Sequence, residues 1–229
     1  MLELVKTADG SNTIYNATVG ENYHSKHGAL QESRHVFLNS GLQYFLDRKL
    51  AATNISEEAV SILEVGFGTG LNFLLSADFC TDRKINLDYI GIEAYPLSLE
   101  VISQTGYDQY ASAELWQAFI ANYEELLQKP IKLTSHCNLQ IAGCKLLDFG
   151  SKKQYDIIYY DAFASANQPE MWDEAAISHT IQFLKPGGVF VTYAITGNLK
   201  RSLKALGCKV EKAPGAPGKR EMLRAVKLL

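Results

Sequence analysis

The chain has 229 residues, of which 47% are hydrophobic and 21% charged, a composition that excludes a disordered or fibrous protein and fits one globular domain. Its net charge of −3 gives no sign of a polyanion-binding protein, and its four scattered cysteines form no C-x-x-C pair, so neither a zinc site nor a disulfide framework is predicted. No stretch approaches the roughly 20 apolar residues that span a bilayer, and the first residues lack a signal-peptide pattern, so we expect a cytoplasmic protein with no membrane partner.

The first predicted elements lie in an N-terminal extension, residues 1–58, which precedes a core fold of residues 59–229. Apolar residues recur at near-helical spacing through "GALQESRHVFLNSGLQYFLDRKL", which predicts one or two helices packed against the core. Glu32 and Arg34 in this stretch either close a pocket or pair with each other. His24 and His27 are three residues apart, but no third ligand accompanies them, so no metal site is expected.

Apolar runs rich in β-branched and aromatic residues alternate with helix-like stretches through the core. Seven strands are predicted, at 61–66, 87–93, 139–143, 155–161, 188–194, 208–213 and 222–228. Helices are predicted at 70–80, 96–128 with a break near Gly106, 170–184 and 197–206. This alternation indicates an α/β fold with a doubly wound, mostly parallel, seven-stranded Rossmann-like sheet. The last two strands are joined by the short turn "PGAPGK" and should form an antiparallel hairpin at one edge.

Three glycines follow the first core strand in "LEVGFGTGLNF" (63–73). Glycine allows positive φ and lets a ligand approach the backbone, and the free N–H groups at a helix start can bind that ligand. Glu93 lies about 23 residues beyond Gly70 at the end of the next strand, where a carboxylate can accept both hydroxyls of a ribose. The loop therefore predicts a nucleotide-type cofactor site, because a tight turn without a ligand would leave Glu64 and Glu93 without a purpose.

The loop G-F-G-T-G, with Glu64 two residues upstream, resembles the motif of class I S-adenosylmethionine (SAM) methyltransferases. "FLKPGGVFVTYA" (183–194) and the terminal hairpin resemble the same family. The resemblance implies SAM as the cofactor, with its ribose held by Glu93. The residues implied at its methionine end are Glu64, Gly66, Phe67, Gly68, Thr69 and Gly70, with Asn72 close by.

Four stretches together resemble a narrower group, the MnmC family of tRNA methyltransferases. They are "YHSKHGALQESRHVFL" (23–38), "EVGFGTGLNFL" (64–74), "DAFASANQPEMW" (161–172) and "PGAPGKREMLRA" (214–225). The resemblance implies methylation of the aminomethyl group on a wobble uridine, with the tRNA anticodon arm as partner. Members of the family are commonly fused to an FAD-dependent oxidase, for which this chain has no room. We therefore expect a stand-alone enzyme without FAD, supplied by a separate FAD-dependent or other upstream modification enzyme.

Two positions depart from the pattern of that family. Many members have Gly-Asp where this chain has Gly143-Cys144, and the acid in that pair can meet the adenine amino group. Cys144, a neighbouring backbone carbonyl or Asp148 must take the role here. "DAFAS" replaces the more usual "DGFAP", which loosens a turn but keeps the acid, Asp161.

Asp161 is the predicted catalytic residue, and we also count it among the cofactor-binding residues. It follows the apolar strand "YDIIYY" at the end where open α/β sheets place their ligands. A primary alkylamine is mostly protonated near neutral pH, so a carboxylate that takes up its proton would leave a lone pair for in-line attack on a methyl group. The alternative is that Asp161 only caps the following turn. Tyr160 and Tyr193 either border the pocket or belong to the core.

Charge is distributed unevenly along the chain. From Leu199 to the end there are nine basic and two acidic residues, so this segment carries +7 and the rest of the chain −10. Such asymmetry is typical of a polyanion-binding face, although a solvated lysine-rich surface would show it too. Lys219 and Arg220 in the hairpin turn are the predicted tRNA phosphate contacts, because arginine can grip a phosphate with two hydrogen bonds.

Two other function classes fit part of the pattern. An aminopropyltransferase of the spermidine synthase kind shares the sheet, the glycine loop and the acid, but it needs an acid-rich pocket and gains nothing from a basic C-terminal segment. A non-catalytic SAM-binding or RNA-binding module would have no need of Asp161. A nicotinamide-dependent dehydrogenase is least favoured, since its usual loop is G-x-G-x-x-G.

Overall fold

The computed structural model describes residues 1–51 and 59–228. Residues 52–58, which end the predicted N-terminal extension, and residue 229 lie outside the described residues. The described part of the chain contains no helix that is both long enough and apolar enough to cross a bilayer.

The N-terminal extension begins with a small antiparallel sheet that the sequence did not predict. Its strands are β1 (Leu2–Lys6), β2 (Asn12–Asn16) and β3 (Glu21–Asn22), in the order β1-β2-β3. The expectation of helices alone in this region was therefore incomplete. The strands are short, and β1 is mostly exposed, so they lack the continuous apolar runs that marked the core strands.

The predicted N-terminal helix follows this sheet. It runs through α1 (Ala29–Glu32), a π-helical section (Ser33–Gln43) and α2 (Tyr44–Ala51). Val36, Phe37 and Leu42 on the π-helical section are buried. Phe37 packs against Tyr159 of the main sheet with ring centroids 5.2 Å apart, which confirms that the helix lies on the core.

All seven predicted core strands are present in one sheet. They are β4 (Val60–Val65), β5 (Leu87–Ile92), β7 (Cys137–Ala142), β8 (Tyr155–Tyr160), β9 (Leu184–Thr192), β10 (Cys208–Pro214) and β11 (Glu221–Lys227). An eighth strand, β6 (Ile131–Thr134), pairs antiparallel with β7 and was missed. The sheet order is β10-β11-β9-β8-β4-β5-β7-β6. Its five central strands are parallel, and β10 and β11 form the predicted antiparallel hairpin.

Helices cover both faces of this sheet, as a doubly wound fold requires. They are α3 (Leu71–Asp82), α4 (Leu99–Ser103), α5 (Ala113–Leu126), α6 (Glu174–Ile181) and α7 (Gly197–Ala205). One apolar cluster joins α3 and α5 to the sheet, and a second joins α6 and α7 to it. Because the five central strands are parallel, their carboxyl ends meet at one edge, and the loops that follow them can form a single site there.

Candidate active site

A cavity of about 1230 Å³ opens at the carboxyl edge of the parallel strands. Gly66, Glu93, Cys144 and Asp161, which follow β4, β5, β7 and β8 respectively, line it. The segment Glu21–Lys26 of the N-terminal extension lines it as well. Drug-sized ligands usually occupy ~300–1,000 Å³, so this space can hold a cofactor and part of a substrate together.

The glycine loop has the backbone geometry that the sequence predicted. Gly66, Gly68 and Gly70 all have positive φ, at 86°, 51° and 79°. A Cβ on Gly66 would lie 2.4 Å from the carbonyl oxygen of Asp161, so a side chain there would collide with backbone. Gly70 precedes the first residue of α3, and the loop thus turns directly from strand to helix.

Glu93, which follows the neighbouring strand β5, hydrogen-bonds to the glycine loop. Its Oε2 accepts a hydrogen bond from the Gly68 N–H at 2.9 Å, and its Oε1 accepts one from the Tyr95 N–H at 3.0 Å. Burial raises the pKa of Glu93, and these backbone hydrogen bonds oppose the rise. Each carboxylate oxygen has a second lone pair, so Glu93 can still accept hydrogen bonds from a ligand.

A buried chain of hydrogen bonds runs from the sheet to the cavity. Tyr89 donates its hydroxyl to Glu64 Oε2 at 2.8 Å. Asn72 Nδ2 donates to Glu64 Oε1 and to Asp161 Oδ2, both at 2.8 Å. Glu64 is fully buried, and burial raises its pKa well above the usual value. Asn72 therefore fixes the positions of two acidic groups from one amide nitrogen.

Asn72 also has a side-chain oxygen that is left without a hydrogen-bond partner within the described part of the chain. Asn72 Oδ1 is buried and accepts no hydrogen bond from any of the described residues. A buried acceptor without a donor costs free energy, so a bound group with an N–H would be stabilised here. An ammonium group near Asn72 and a pair of hydroxyls near Glu93 are features that SAM provides, and the donor and acceptor set fits that molecule.

Phe67 and Thr69 belong to the loop, but their side chains are buried away from the cavity lining. The Phe67 ring packs against Phe73 and Phe119 in the core, with centroids 6.2 and 6.3 Å away. Gly91 of β5 leaves room for this ring, since a Cβ there would lie 2.2 Å from it. These two side chains support the loop from within the core, and neither residue lines the cavity.

Asp161, the predicted catalytic residue, lies directly after the carboxyl end of β8. It lines the cavity, and its backbone N–H donates to the Val65 carbonyl at 2.8 Å, which ties the ends of β8 and β4 together. Burial, and after it the negative charge of Glu32, raise the pKa of Asp161 to about 8, while the Asn72 hydrogen bond and the Lys219 charge oppose the rise. A carboxyl with a pKa in this range can gain or lose a proton near neutral pH.

The two residues predicted to contact phosphate lie in different surroundings. Lys219 lines the cavity, with its Nζ 3.0 Å from Glu32 Oε2 and 3.8 Å from the centre of the Tyr193 ring. Arg220 is exposed. The sequence analysis predicted phosphate contacts for both, with a solvated basic turn as the alternative; Lys219 lines the candidate site, and its role stays a prediction.

The cavity-lining residues of the N-terminal extension include Glu32, which was one of the two residues predicted to close a pocket, and Glu21 and Tyr23, which were not predicted. Glu21 Oε2 accepts hydrogen bonds from the Ala164 N–H at 2.9 Å and from Asn167 Nδ2 at 2.8 Å, in the loop after Asp161. Tyr23 meets Phe163 edge to face, with centroids 5.0 Å apart. Glu32 pairs with Lys219 and also accepts a hydrogen bond from the Ser25 N–H at 2.9 Å. The family resemblance of residues 23–38 includes Tyr23 and Glu32, whereas no sequence signal marked Glu21.

The remaining predicted residues are placed as follows. Cys144 and Asp148 both line the cavity, so the alternatives for contact with an adenine stay open. Tyr193 borders the cavity and donates its hydroxyl to the Ala162 carbonyl at 2.8 Å, whereas Tyr160 is fully buried in the core.

His24 is buried with its Nδ1 3.1 Å from Thr13 Oγ1, and burial lowers its pKa to about 4. Within residues 1–51 and 59–228, no group of three or more potential ligands could hold a metal ion.

Comparison with known proteins agrees with this geometry. A family model described as S-adenosyl-L-methionine-dependent methyltransferase matches residues 110–228, just over half of the chain. The chain is 32% identical over 213 residues to a tRNA 5-methylaminomethyl-2-thiouridine biosynthesis bifunctional protein MnmC of Leptospira borgpetersenii, covering 88% of this chain and 31% of that protein. The protein of the same name from Methylobacillus flagellatus is 31% identical over 223 residues, covering 91% of this chain and 33% of its own length. The chain thus spans about a third of the length of these relatives.

One solved structure shows the same fold over the whole chain. MNMC2 from Aquifex aeolicus superposes with a TM-score of 0.74 at 23% sequence identity, covering 100% of this chain and 70% of that one. With the glycine loop, the acid after β5 and the seven predicted core strands in place, the fold is that of class I methyltransferases. The chain belongs to the family of S-adenosyl-L-methionine-dependent methyltransferases.

Proposed function

We propose that this enzyme transfers the methyl group of SAM to the primary amine of 5-aminomethyl-(2-thio)uridine at the wobble position of tRNA. The observation that carries the proposal is Asp161, a cavity-lining carboxyl that is held by Asn72 and has a pKa of about 8. The name of the MnmC relatives, which refers to 5-methylaminomethyl-2-thiouridine, supports the choice of substrate.

The chemistry follows from proton transfer at Asp161. The substrate amine arrives as an ammonium and gives one proton to the Asp161 carboxylate, which leaves a lone pair on nitrogen. SAM, when bound, would supply an electrophilic methyl group to this lone pair, and the electron pair of its carbon–sulfur bond would pass to sulfur. Asn72 orients the carboxylate throughout, and Asp161 then releases its proton to solvent. Alignment of the reacting atoms provides much of the rate.

The residues that would hold SAM are those of the loop and its neighbours. Asn72 Oδ1 would accept from the ammonium of SAM, and Glu93 would accept from the ribose hydroxyls. Cys144 would lie near the adenine, because it follows β7 next to Glu93 in the sheet order. The glycine-loop backbone at Gly66, Phe67, Gly68, Thr69 and Gly70, with Glu64 beneath it, would shape the methionine end of the site.

The tRNA would approach the edge of the sheet at which the cavity opens. The start of α7 and the turn between β10 and β11 lie at this edge, because α7 follows the carboxyl end of β9 and Leu223 of β11 pairs with Thr192 of β9. Arg201, Lys204 and Arg220 are exposed there or on the adjoining helix. The aminomethyl group itself would be supplied by an upstream modification reaction.

A second candidate function is favoured by the acidic character of the cavity. Glu21, Glu32, Glu93 and Asp161 all line it, and such a pocket also suits the polyamine substrate of an aminopropyltransferase. The two functions differ in their donor, because aminopropyl transfer uses decarboxylated SAM. Calorimetry with both molecules separates them: tighter binding of decarboxylated SAM would favour aminopropyl transfer over methyl transfer.

The product of the proposed reaction can be measured directly in cells. In a strain that lacks the gene, mass spectrometry of tRNA nucleosides should show loss of the methylaminomethyl uridine and accumulation of the aminomethyl form. An unchanged methylaminomethyl level would contradict the proposal. A plasmid with the wild-type gene is the control, and it should restore the methylated nucleoside.

A further inference from the structure

Lys219 occupies an unusual place for a lysine of a hairpin turn. The turn between β10 and β11 carries it to the cavity, where its ammonium meets a carboxylate that lies 187 residues away in the sequence. Glu32 is nearly buried, and Lys219 Nζ lies 3.0 Å from its Oε2. The same ammonium lies 3.8 Å from the centre of the Tyr193 ring, within the range of a cation–π interaction. Two partners thus fix one positive charge at the wall of the cavity.

This charge acts on the proposed catalytic group. Lys219 and Asp161 line the same cavity, and the positive charge of Lys219 opposes the rise in the pKa of Asp161 that burial and Glu32 cause. The other titratable groups of this corner are Glu21, Tyr193 and His27, whose ring lies against Gly218 of the hairpin turn. Of the charges that act on Asp161, that of Lys219 is positive and those of Glu32 and Glu21 are negative.

A phosphate contact does not explain this geometry well. The ammonium of Lys219 already pairs with the carboxylate of Glu32, so a phosphate would have to compete with Glu32 for it. The exposed Arg220, the next residue, is better placed for the tRNA backbone. The feature that needs explanation is a cation held beside a site that must deprotonate an amine.

Resting on the function proposed above, we propose that Lys219 is a positioning residue. Its ammonium, held by Glu32 and Tyr193, repels the ammonium form of the substrate. It thereby favours the uncharged amine that attacks the methyl group. A like charge close to an amine disfavours its protonated form. The proton leaves the amine for the Asp161 carboxylate, and the positive charge of Lys219 increases the fraction of Asp161 that is ionised and able to receive it. Without Lys219, the unpaired charge of Glu32 would favour the ammonium form.

The test is the pH dependence of single-turnover methyl transfer, with saturating SAM and tRNA that bears aminomethyl uridine. In Lys219→Met the midpoint of the acidic limb should rise by about one pH unit, the scale of one nearby charge. Lys219→Arg keeps the charge and should keep the wild-type midpoint, which controls for packing. Glu32→Gln should move the midpoint down, because it removes a negative charge and leaves Lys219 in place. The double variant Lys219→Met with Glu32→Gln should return the midpoint toward wild type.

Two results would overturn the proposal. One is a wild-type midpoint in both Lys219→Met and Glu32→Gln. The other is a Lys219→Met variant with weaker tRNA binding, a flatter salt dependence and an unchanged pH profile, which would assign Lys219 to phosphate contact. If wild-type enzyme transfers no methyl group at any pH, the proposed function fails; if wild type is active and the variants share its profile, only the role of Lys219 fails.

Discussion

The ionised form of Asp161, which the proposed reaction needs, destabilises the folded protein. Its pKa is raised from 3.8 to about 8, chiefly by burial, so the native fold favours the protonated form. A raised pKa in the folded state means that this contribution to stability is fully present below pH 3.8 and is lost as the pH rises through about 8. Stability and the proposed catalytic role therefore favour opposite ionisation states of this residue.

Asp161→Asn should remove that pH dependence, because the amide has no charge to bury. The melting temperature of the variant, relative to wild type, should be higher by a few degrees near pH 8 than near pH 5. Differential scanning calorimetry at the two pH values measures the change. A difference between variant and wild type that does not vary with pH would contradict the assigned pKa. Asp78, which is not part of the cavity lining, offers a control position for the same substitution.

At the scale of elements, the turn from β4 into α3 allows no side chain at its first glycine. Gly66→Ala combines a φ of 86° with a Cβ that would lie 2.4 Å from the Asp161 carbonyl oxygen. We expect a loss of about 2 kcal/mol or more in the free energy of unfolding, from strain and from displacement of the β8 end. Urea denaturation measures it, together with loss of SAM binding.

Gly143→Ala is the matched control for this change. Gly143 also follows a strand of the same sheet, but its φ is not in the left-handed region and the nearest atom to an added Cβ is Pro96 Cγ at 4.0 Å. The variant should retain stability and SAM binding close to wild type. Equal effects of the two substitutions would show that the close approach at Gly66 does not constrain the loop.

The elements differ in how well the sequence predicts them, and the reason is burial. The core strands β4 and β8 are buried at every residue, so their apolar runs are easily recognised. β1 is mostly exposed and β3 has two residues, so neither carries a comparable pattern. The loop glycines and Glu93 could be assigned from local spacing. The Lys219–Glu32 pair could not, because it depends on the hairpin reaching a helix 187 residues earlier in the chain.

At the scale of the whole molecule, the surplus of positive charge lies toward the side of the sheet that ends in the edge strand β10. β10 is one edge strand and β6 the other, and the basic C-terminal segment forms α7, β10 and β11. tRNA binding should therefore weaken steeply with salt. The triple variant Arg201→Ala, Lys204→Ala and Arg220→Ala should lower the slope of log Kd against log salt by about one unit per phosphate contact removed.

Lys132→Ala provides the control for that experiment. Lys132 is exposed on β6, the edge strand on the other side of the sheet from β10. Its replacement should leave the salt slope unchanged. Fluorescence anisotropy with labelled tRNA at several salt concentrations measures both variants. An unchanged slope in the triple variant would place the tRNA on another surface.

The central claim, that this SAM-dependent methyltransferase methylates an amine with Asp161 as its proton acceptor, is tested most directly by one single-turnover measurement. Purified enzyme, saturating SAM and tRNA bearing aminomethyl uridine are mixed near neutral pH, and the methylated nucleoside is followed by mass spectrometry. Wild type should convert the aminomethyl to the methylaminomethyl form, and Asp161→Asn should bind both ligands but react roughly 10²-fold more slowly, with partial recovery at higher pH. Conversion by Asp161→Asn at the wild-type rate, or no conversion by wild type, would contradict the claim.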